Sequence, residues 1–235
     1  MSVRLLADAG DHRPDGRPLL VVDVDEVVLA FVGPLAAFLE RHGHRLVPRS
    51  FALTGNVTRI GGADAIGAEE VKRLIAAFFE AEVEAQPPVA GAVAALGRLG
   101  RICDTLFLTN VPAAQAERRA ARLATLGFAA PLIANDGAKG PALARLAASA
   151  RARGGAELPI VFVDDGPTHL ASARAAVAGV RLVQFVADPV WFAMAPEVDG
   201  VWLRSRVWAE VEAAVDGLAA GDEDGGAIVA PGGAA

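Results

Sequence analysis

Five short apolar runs, interleaved with Ala-rich stretches, constrain the fold of this chain more than any other feature. They lie at 18–23 (Pro-Leu-Leu-Val-Val-Asp), 105–109, 131–134, 159–164 and 180–186. The first is apolar on both faces, as a strand covered from above and below must be. Between the runs, helical stretches are predicted at about 88–100, 112–126, 140–153 and 167–178, with Pro112, Pro141 and Pro167 near helix starts. A missing N–H costs nothing there. Strand and helix in alternation predict an α/β fold, a parallel sheet with crossover helices.

One interval is out of scale. About 80 residues separate the first run from the second, where a simple crossover needs a dozen or more. Helices are predicted at about 34–42 and 67–85, the second with Val71, Leu74, Ile75, Phe78, Phe79 and Val83 at helical spacing. The segment from Arg45 to Ala65 between them reads as irregular. These features predict a small all-helical insertion over 34–86, bounded by Gly33-Pro34 and Pro87-Pro88. The core is then 1–33 with 87–220. The Gly/Ala/Pro-rich end, 221–235, reads as a disordered tail.

Composition narrows the function classes. With 235 residues, 53% of them hydrophobic, the chain can build one core plus a small appendage. A formal net charge of −6 argues against a nucleic-acid-binding surface. The longest uncharged stretches run 13 residues, short of the ~20 that a membrane-spanning helix needs. The first twenty residues carry six charged side chains, so no signal-peptide core is expected there. Cys103 is a single cysteine and suits a reducing compartment. The expectation is a cytoplasmic protein, monomeric or homodimeric, with no nucleic-acid or membrane partner.

The chemistry sits at the ends of the runs. In an open parallel sheet, ligands bind beyond the carboxyl ends of the strands. Asp23, Asp25, Thr109, Asn110, Asp164 and Asp165 fall at such ends, and Lys139 opens a helix just after the third run. Four carboxylates cannot all ionise side by side without positive charge among them. A hard divalent cation with oxygen ligands, Mg²⁺ foremost, meets that need, with Lys139 as a second counter-charge. A carboxylate nucleophile beside Mg²⁺, with a hydroxyl and an ammonium for phosphate oxygens, is equipment for phosphoryl transfer. Each residue alone has an ordinary reading as a turn, cap or strand residue. Their joint occurrence, in this order, carries the signal.

In that order the residues resemble the four motifs of the haloacid dehalogenase (HAD) superfamily. They are Val21-Val-Asp23-Val-Asp25, Leu106-Phe-Leu-Thr109-Asn110, Lys139 within Gly137-Ala-Lys-Gly-Pro, and Ile160-Val-Phe-Val-Asp164-Asp165. The resemblance implies a Rossmann-like core with strand order 5-4-1-2-3 and a small all-helical cap inserted after the first motif, here 34–86, hinged near Gly33-Pro34 and Pro87-Pro88. It also implies that Asp23 is the nucleophile, that Asp25 is the general acid and base, and that Thr109 and Lys139 hold the phosphoryl group beside Asp23. Asn110 joins Thr109 and Lys139 as substrate-binding. The implied Mg²⁺ ligands are Asp23, the main-chain carbonyl of Asp25, Asp165, and Asp164 close by or coordinating. A second aspartate at position 25 and the absence of tyrosine set the chain apart from the dehalogenating members. The expected reaction is hydrolysis of a small phosphorylated metabolite through an aspartyl-phosphate. The alternative is a catalytically degenerate binding or regulatory protein.

Several residues carry secondary expectations. Glu26 places an extra carboxylate beside the site, and His169 stands where relatives often have an aspartate; it is weighed chiefly as an ordinary helix residue. Lys72 is read as a surface residue near Glu69. Arg118, Arg119 and Arg122 share a helix and are expected to face solvent. Arg49, Asn56, Thr58 and Arg59 are the polar cap-loop residues best able to meet a substrate. Trp191, Phe192, Trp202 and Trp208 are expected to pack a C-terminal helix onto the core.

Overall fold

The computed structural model describes residues 2–154 and 158–221, so the expected tail from 222 onward lies outside the described residues. Seven parallel strands form one sheet: β1 (Leu5–Leu6), β2 (Leu19–Val22), β5 (Asp104–Thr109), β6 (Leu132–Ala134), β7 (Ile160–Asp164), β8 (Arg181–Phe185) and β9 (Val201–Ser205). Their order is β1-β6-β5-β2-β7-β8-β9. The five expected runs therefore lie in the expected order, with one strand added at each edge. β2 is central, paired in parallel with β5 and β7, Val22 facing Phe107 on one side and Val163 on the other.

Burial explains why β2 is apolar throughout. Leu20 and Val22 enter one layer with α3 (Ala92–Leu99) and α8 (Trp208–Ala219). Leu19 and Val21 enter the other with α5 (Gly140–Gly154) and α6 (Pro167–Ala176). Each of the four is fully buried, a contribution of roughly 1.5–3 kcal/mol per large aliphatic side chain. α4 (Ala116–Thr125) covers β5 from the first layer through Ala120 and Leu123. Trp208 is buried, and its indole nitrogen donates to the carbonyl of Val27 at 2.9 Å, which seats the C-terminal helix as expected.

The inserted segment departs from an all-helical reading. It holds α1 (Val32–Arg41) and α2 (Ala68–Glu82), and between them a two-stranded antiparallel hairpin of β3 (His44–Leu46) with β4 (Val57–Arg59). The strands are three residues each, too short to show a period of two in the sequence. α1 also begins at Val32, so Gly33 and Pro34 sit in its first turn. A separate apolar cluster joins Leu35, Phe38 and Leu39 of α1 to Val57, Phe78, Phe79 and Val83, and it reaches Val111 beyond β5.

Glu26 fixes the entry to this segment. Its carboxylate accepts from the main-chain N–H groups of Phe31 and Val32 at 3.0 and 2.9 Å, the start of α1. It also accepts from Asp188 N–H at 2.8 Å, which begins α7 (Pro189–Met194). These bonds hold a non-glycine residue at φ +62°, a backbone state that costs of order 1 kcal/mol or more. Burial raises the Glu26 carboxyl above its ordinary value despite the three donors. The glutamate is thus an anchor for two helix starts.

Candidate active site

Asp23 follows β2 directly, and its N–H donates to the carbonyl of Val163 at 2.9 Å, so the β2 and β7 ends are level. Thr109 closes β5, and Asp164 closes β7. All three lie at carboxyl ends of neighbouring strands, where the polar groups of a parallel sheet converge. Lys139 stands immediately before α5. Gly140 follows it for a steric reason: a Cβ there would lie 2.4 Å from both the carbonyl oxygen and the Oγ of Ser172 on α6. Close approach of the two helices brings the lysine into the sheet end.

Lys139 Nζ lies 2.6 Å from Asp23 Oδ1 and 2.7 Å from Asp164 Oδ2. The lysine is 1% exposed. Burial alone would lower its pKa, but the charges of Asp164 and Asp23 outweigh that and hold it above the ordinary lysine value. Burial raises Asp23 to about 6, opposed by Lys139 and reinforced by the charges of Asp164 and Asp25. Burial also raises Asp164 and, with the neighbouring carboxylates, raises Asp165 well above the usual range. Oxygens of Asp23, Asp164 and Asp165 come within 4.8 Å of one another. Both oxygens of Asp164 are already engaged, one by Lys139 and the other by Gly166 N–H at 2.8 Å.

The side chain of Asp25 turns elsewhere. Its Oδ1 accepts from Arg119 Nη2 at 2.7 Å and from Gln86 Nε2 at 3.0 Å. Thr109 Oγ1 faces Asp25 Oδ2 at 3.5 Å and accepts from Val111 N–H at 3.2 Å. Four carboxylates thus meet two cations, Lys139 and Arg119, a formal balance of −2 (four negative, two positive). All-oxygen donors with two uncompensated negative charges fit a hard divalent cation.

Arg119 corrects the sequence reading. It was expected to face solvent with Arg118 and Arg122, yet it is 0% exposed, beneath the Phe79 ring at 5.8 Å. Arg118 and Arg122 instead grip the inserted segment. Arg118 pairs with Glu84 at 2.7 Å, and Arg122 donates to the Gln86 carbonyl at 2.8 Å. Periodicity did point here: Ala116, Arg119, Ala120 and Leu123 are the buried face of α4.

Other candidate residues are placed as follows. Asn110 donates to the Gly137 carbonyl at 2.8 Å and accepts from Asn135 at 2.9 Å, so it braces the loop that leads to Lys139. His169 packs beside Gly166, its Nδ1 buried without a partner among the described residues. Burial, then Lys139, holds its pKa down. Lys72 pairs with Glu69 at 2.8 Å on an exposed helix face, as expected. Within the cap loop, Asn56 is fully buried and binds the carbonyls of Ser50 and Ala52. Thr58 is buried, and exposed Arg59 pairs with Glu70 at 2.9 Å. Arg49 donates to the Ala63 carbonyl at 3.2 Å. Arg49, Asn56 and Arg59 thus bond within the inserted segment, and Thr58 is buried in it.

No family profile and no curated protein matches the sequence. Solved structures do match. A HAD family hydrolase from Deinococcus radiodurans R1, with bound phosphate and sodium, superposes with a TM-score of 0.56 at 19% identity, over 87% of this chain and 97% of that one. A haloacid dehalogenase-like protein of unknown function from Agrobacterium tumefaciens C58 gives 0.57 at 16% identity, over 87% and 100%. A candidate HAD-hydrolase from Bacillus subtilis, bound to magnesium and displaying interdomain movement, gives 0.51 at 15%, over 90% and 97%. The chain has the HAD-like fold.

Proposed function

We propose that the chain is a Mg²⁺-dependent phosphatase that hydrolyses a small phosphorylated metabolite in the cytoplasm through an aspartyl-phosphate. The observation that carries this reading is the buried Lys139 ammonium set between Asp23 and Asp164, with Asp165 inside the same oxygen cluster. Asp23, Asp164, Asp165 and the main-chain carbonyl of Asp25 would hold the metal, which when bound offsets the charge of the phosphoryl group. Structures of this fold with bound phosphate and with bound magnesium support both parts. No helix among the described residues is long and apolar enough to cross a membrane.

In this mechanism a carboxylate oxygen of Asp23 forms a bond to phosphorus as the ester P–O bond breaks. Asp25 gives its proton to the departing oxygen, so an alcohol leaves rather than an alkoxide. Asp25 then takes a proton from water as that water attacks phosphorus. The acyl-phosphate bond breaks, freeing Asp23 and inorganic phosphate. Thr109 Oγ1 and Lys139 Nζ hold phosphoryl oxygens throughout, and Lys139 is suited to this because its neighbours keep it charged. Asp23 must be ionised to attack; Lys139 already opposes the rise that burial imposes on it, and a bound cation would favour the carboxylate further.

The test is turnover of para-nitrophenyl phosphate by purified protein, with Mg²⁺ and with EDTA. Mg²⁺-dependent hydrolysis that disappears in Asp23→Asn is expected. Wild-type protein without activity under any divalent cation would favour a degenerate, non-catalytic relative. A panel of phosphorylated metabolites then identifies the substrate.

A further inference from the structure

Asp25 is the proton carrier of the proposed reaction, and its surroundings are unusual. Two donors, Arg119 Nη2 and Gln86 Nε2, converge on the same oxygen, Oδ1. The other oxygen, Oδ2, has only the long 3.5 Å approach of Thr109 Oγ1. The donors are themselves joined, since Arg119 Nη2 also donates to Gln86 Oε1 at 2.7 Å. Both are fully buried, Arg119 at 0% and Gln86 at 1% exposure. A closed ring of three side chains therefore fixes the carboxylate plane and leaves Oδ2 with the Thr109 hydroxyl alone against it.

Gln86 is also part of the connection back from the inserted segment. Its side chain donates to the Ala30 carbonyl at 3.0 Å, on the outgoing connection, and its own carbonyl accepts from Arg122. The two connections run side by side there, with Ala30 N–H on the Pro87 carbonyl and Val89 N–H on the Val28 carbonyl, each at 2.9 Å. A shift of either connection relative to α4 would move Gln86 and turn Asp25.

We propose that Arg119, acting with Gln86, is the positioning device for Asp25: it pins Oδ1, presents Oδ2 as the proton-transfer oxygen, and ties that orientation to the two connections of the inserted segment. The proposal rests on the phosphatase reading above. General acid catalysis is worth about 10²–10⁴-fold, and small misplacements of a reacting group forfeit much of it. Leaving groups differ in how far they need that proton. Nitrophenolate departs without one, whereas a more basic phenolate gains most from protonation.

The experiment measures kcat/KM with Mg²⁺ for a graded series of aryl phosphates, from para-nitrophenyl to phenyl to para-methoxyphenyl phosphate. It compares wild type with Arg119→Met, Arg119→Lys and Gln86→Met, with melting curves to establish folding. For Arg119→Met we expect a loss of about tenfold or more on phenyl phosphate but only about twofold on para-nitrophenyl phosphate. The dependence on leaving-group basicity should steepen. Gln86→Met should steepen it less, and Arg119→Lys should recover part of the wild-type slope. Gln86→Met gives the same reading if Arg119→Met does not fold. A uniform loss across the series, or a gain on the basic leaving groups, overturns the positioning role while the phosphatase reading stands. A wild type inactive on the whole series overturns that reading and this proposal with it.

Discussion

Replacing Lys139 by Met removes a cation from between two buried carboxylates, 2.6 and 2.7 Å away, and puts an apolar chain of similar length in its place. Breaking a buried pair by deleting one partner costs about 3–5 kcal/mol, because the surviving charge is left uncompensated. For a chain of this size each kcal/mol lowers Tm by roughly 2–4 °C, so a fall of about 6–20 °C is expected at pH 8 in EDTA.

The sign of the pH dependence follows from Asp23. Its folded pKa of about 6 exceeds the ordinary 3.8, so the folded state binds the proton more tightly than the unfolded state. Its contribution to stability is present below 3.8 and lost as pH rises through about 6. Without Lys139 the carboxyls of Asp23 and Asp164 move higher still, so the variant's penalty is felt at pH 8 and relieved at pH 5, where protons replace the missing cation. Paired melting curves at the two pH values measure this. An equal gap between wild type and variant at both, or a gap under about 1 kcal/mol at pH 8, would refute the charge-compensation argument. Lys72→Met is the control, since that lysine and Glu69 form an exposed pair, and it should leave both curves unchanged.

Asp23→Asn should abolish turnover while leaving the fold intact, because an amide cannot form the acyl-phosphate; hydrolysis within a few-fold of wild type would end the assignment. Millimolar Mg²⁺ should raise Tm at pH 8 and do so less in Asp165→Asn, as binding to the folded state alone requires; an identical shift would remove Asp165 from the ligand set. Gly140→Ala should cost about 1–3 kcal/mol and reduce kcat, since its Cβ would meet Ser172 at 2.4 Å and push Lys139 outward. Glu26→Ala strands three N–H groups at two helix starts, and denaturant unfolding should register a loss on the order of 3 kcal/mol.

What the sequence displayed and what it concealed divide along a physical line. Strands buried on both faces are near-continuous apolar runs, so β2, β7 and the Leu106–Leu108 centre of β5 stand out in any reading. The polar residues at their ends stand out for the same reason, as abrupt interruptions of apolar runs. β1 and β9 are edge strands, one of two residues and the other carrying Arg204, and neither pressure marks them. The hairpin of β3 and β4 is hidden likewise, because three-residue strands obey no period that a sequence can show.

Arg119 was hidden by a different cause. On the α4 face that buries Ala116, Ala120 and Leu123, a charged residue reads as an error in an amphipathic pattern, or as a surface residue at the margin. A buried guanidinium is tolerable only with a compensating anion, and that anion, Asp25, is 94 residues away in the chain. No local pattern can show such a partner. The general lesson is specific to charge: an arginine in register with an apolar helix face implies a distant carboxylate, and in a chain with an Asp-x-Asp at a strand end that carboxylate is the first place to look. Asp25 and Arg119 would then be expected to fail together. Removing Asp25 should leave Arg119 unpaired in the core and cost stability as well as activity, whereas the double replacement Asp25→Asn with Arg119→Met should recover the stability alone.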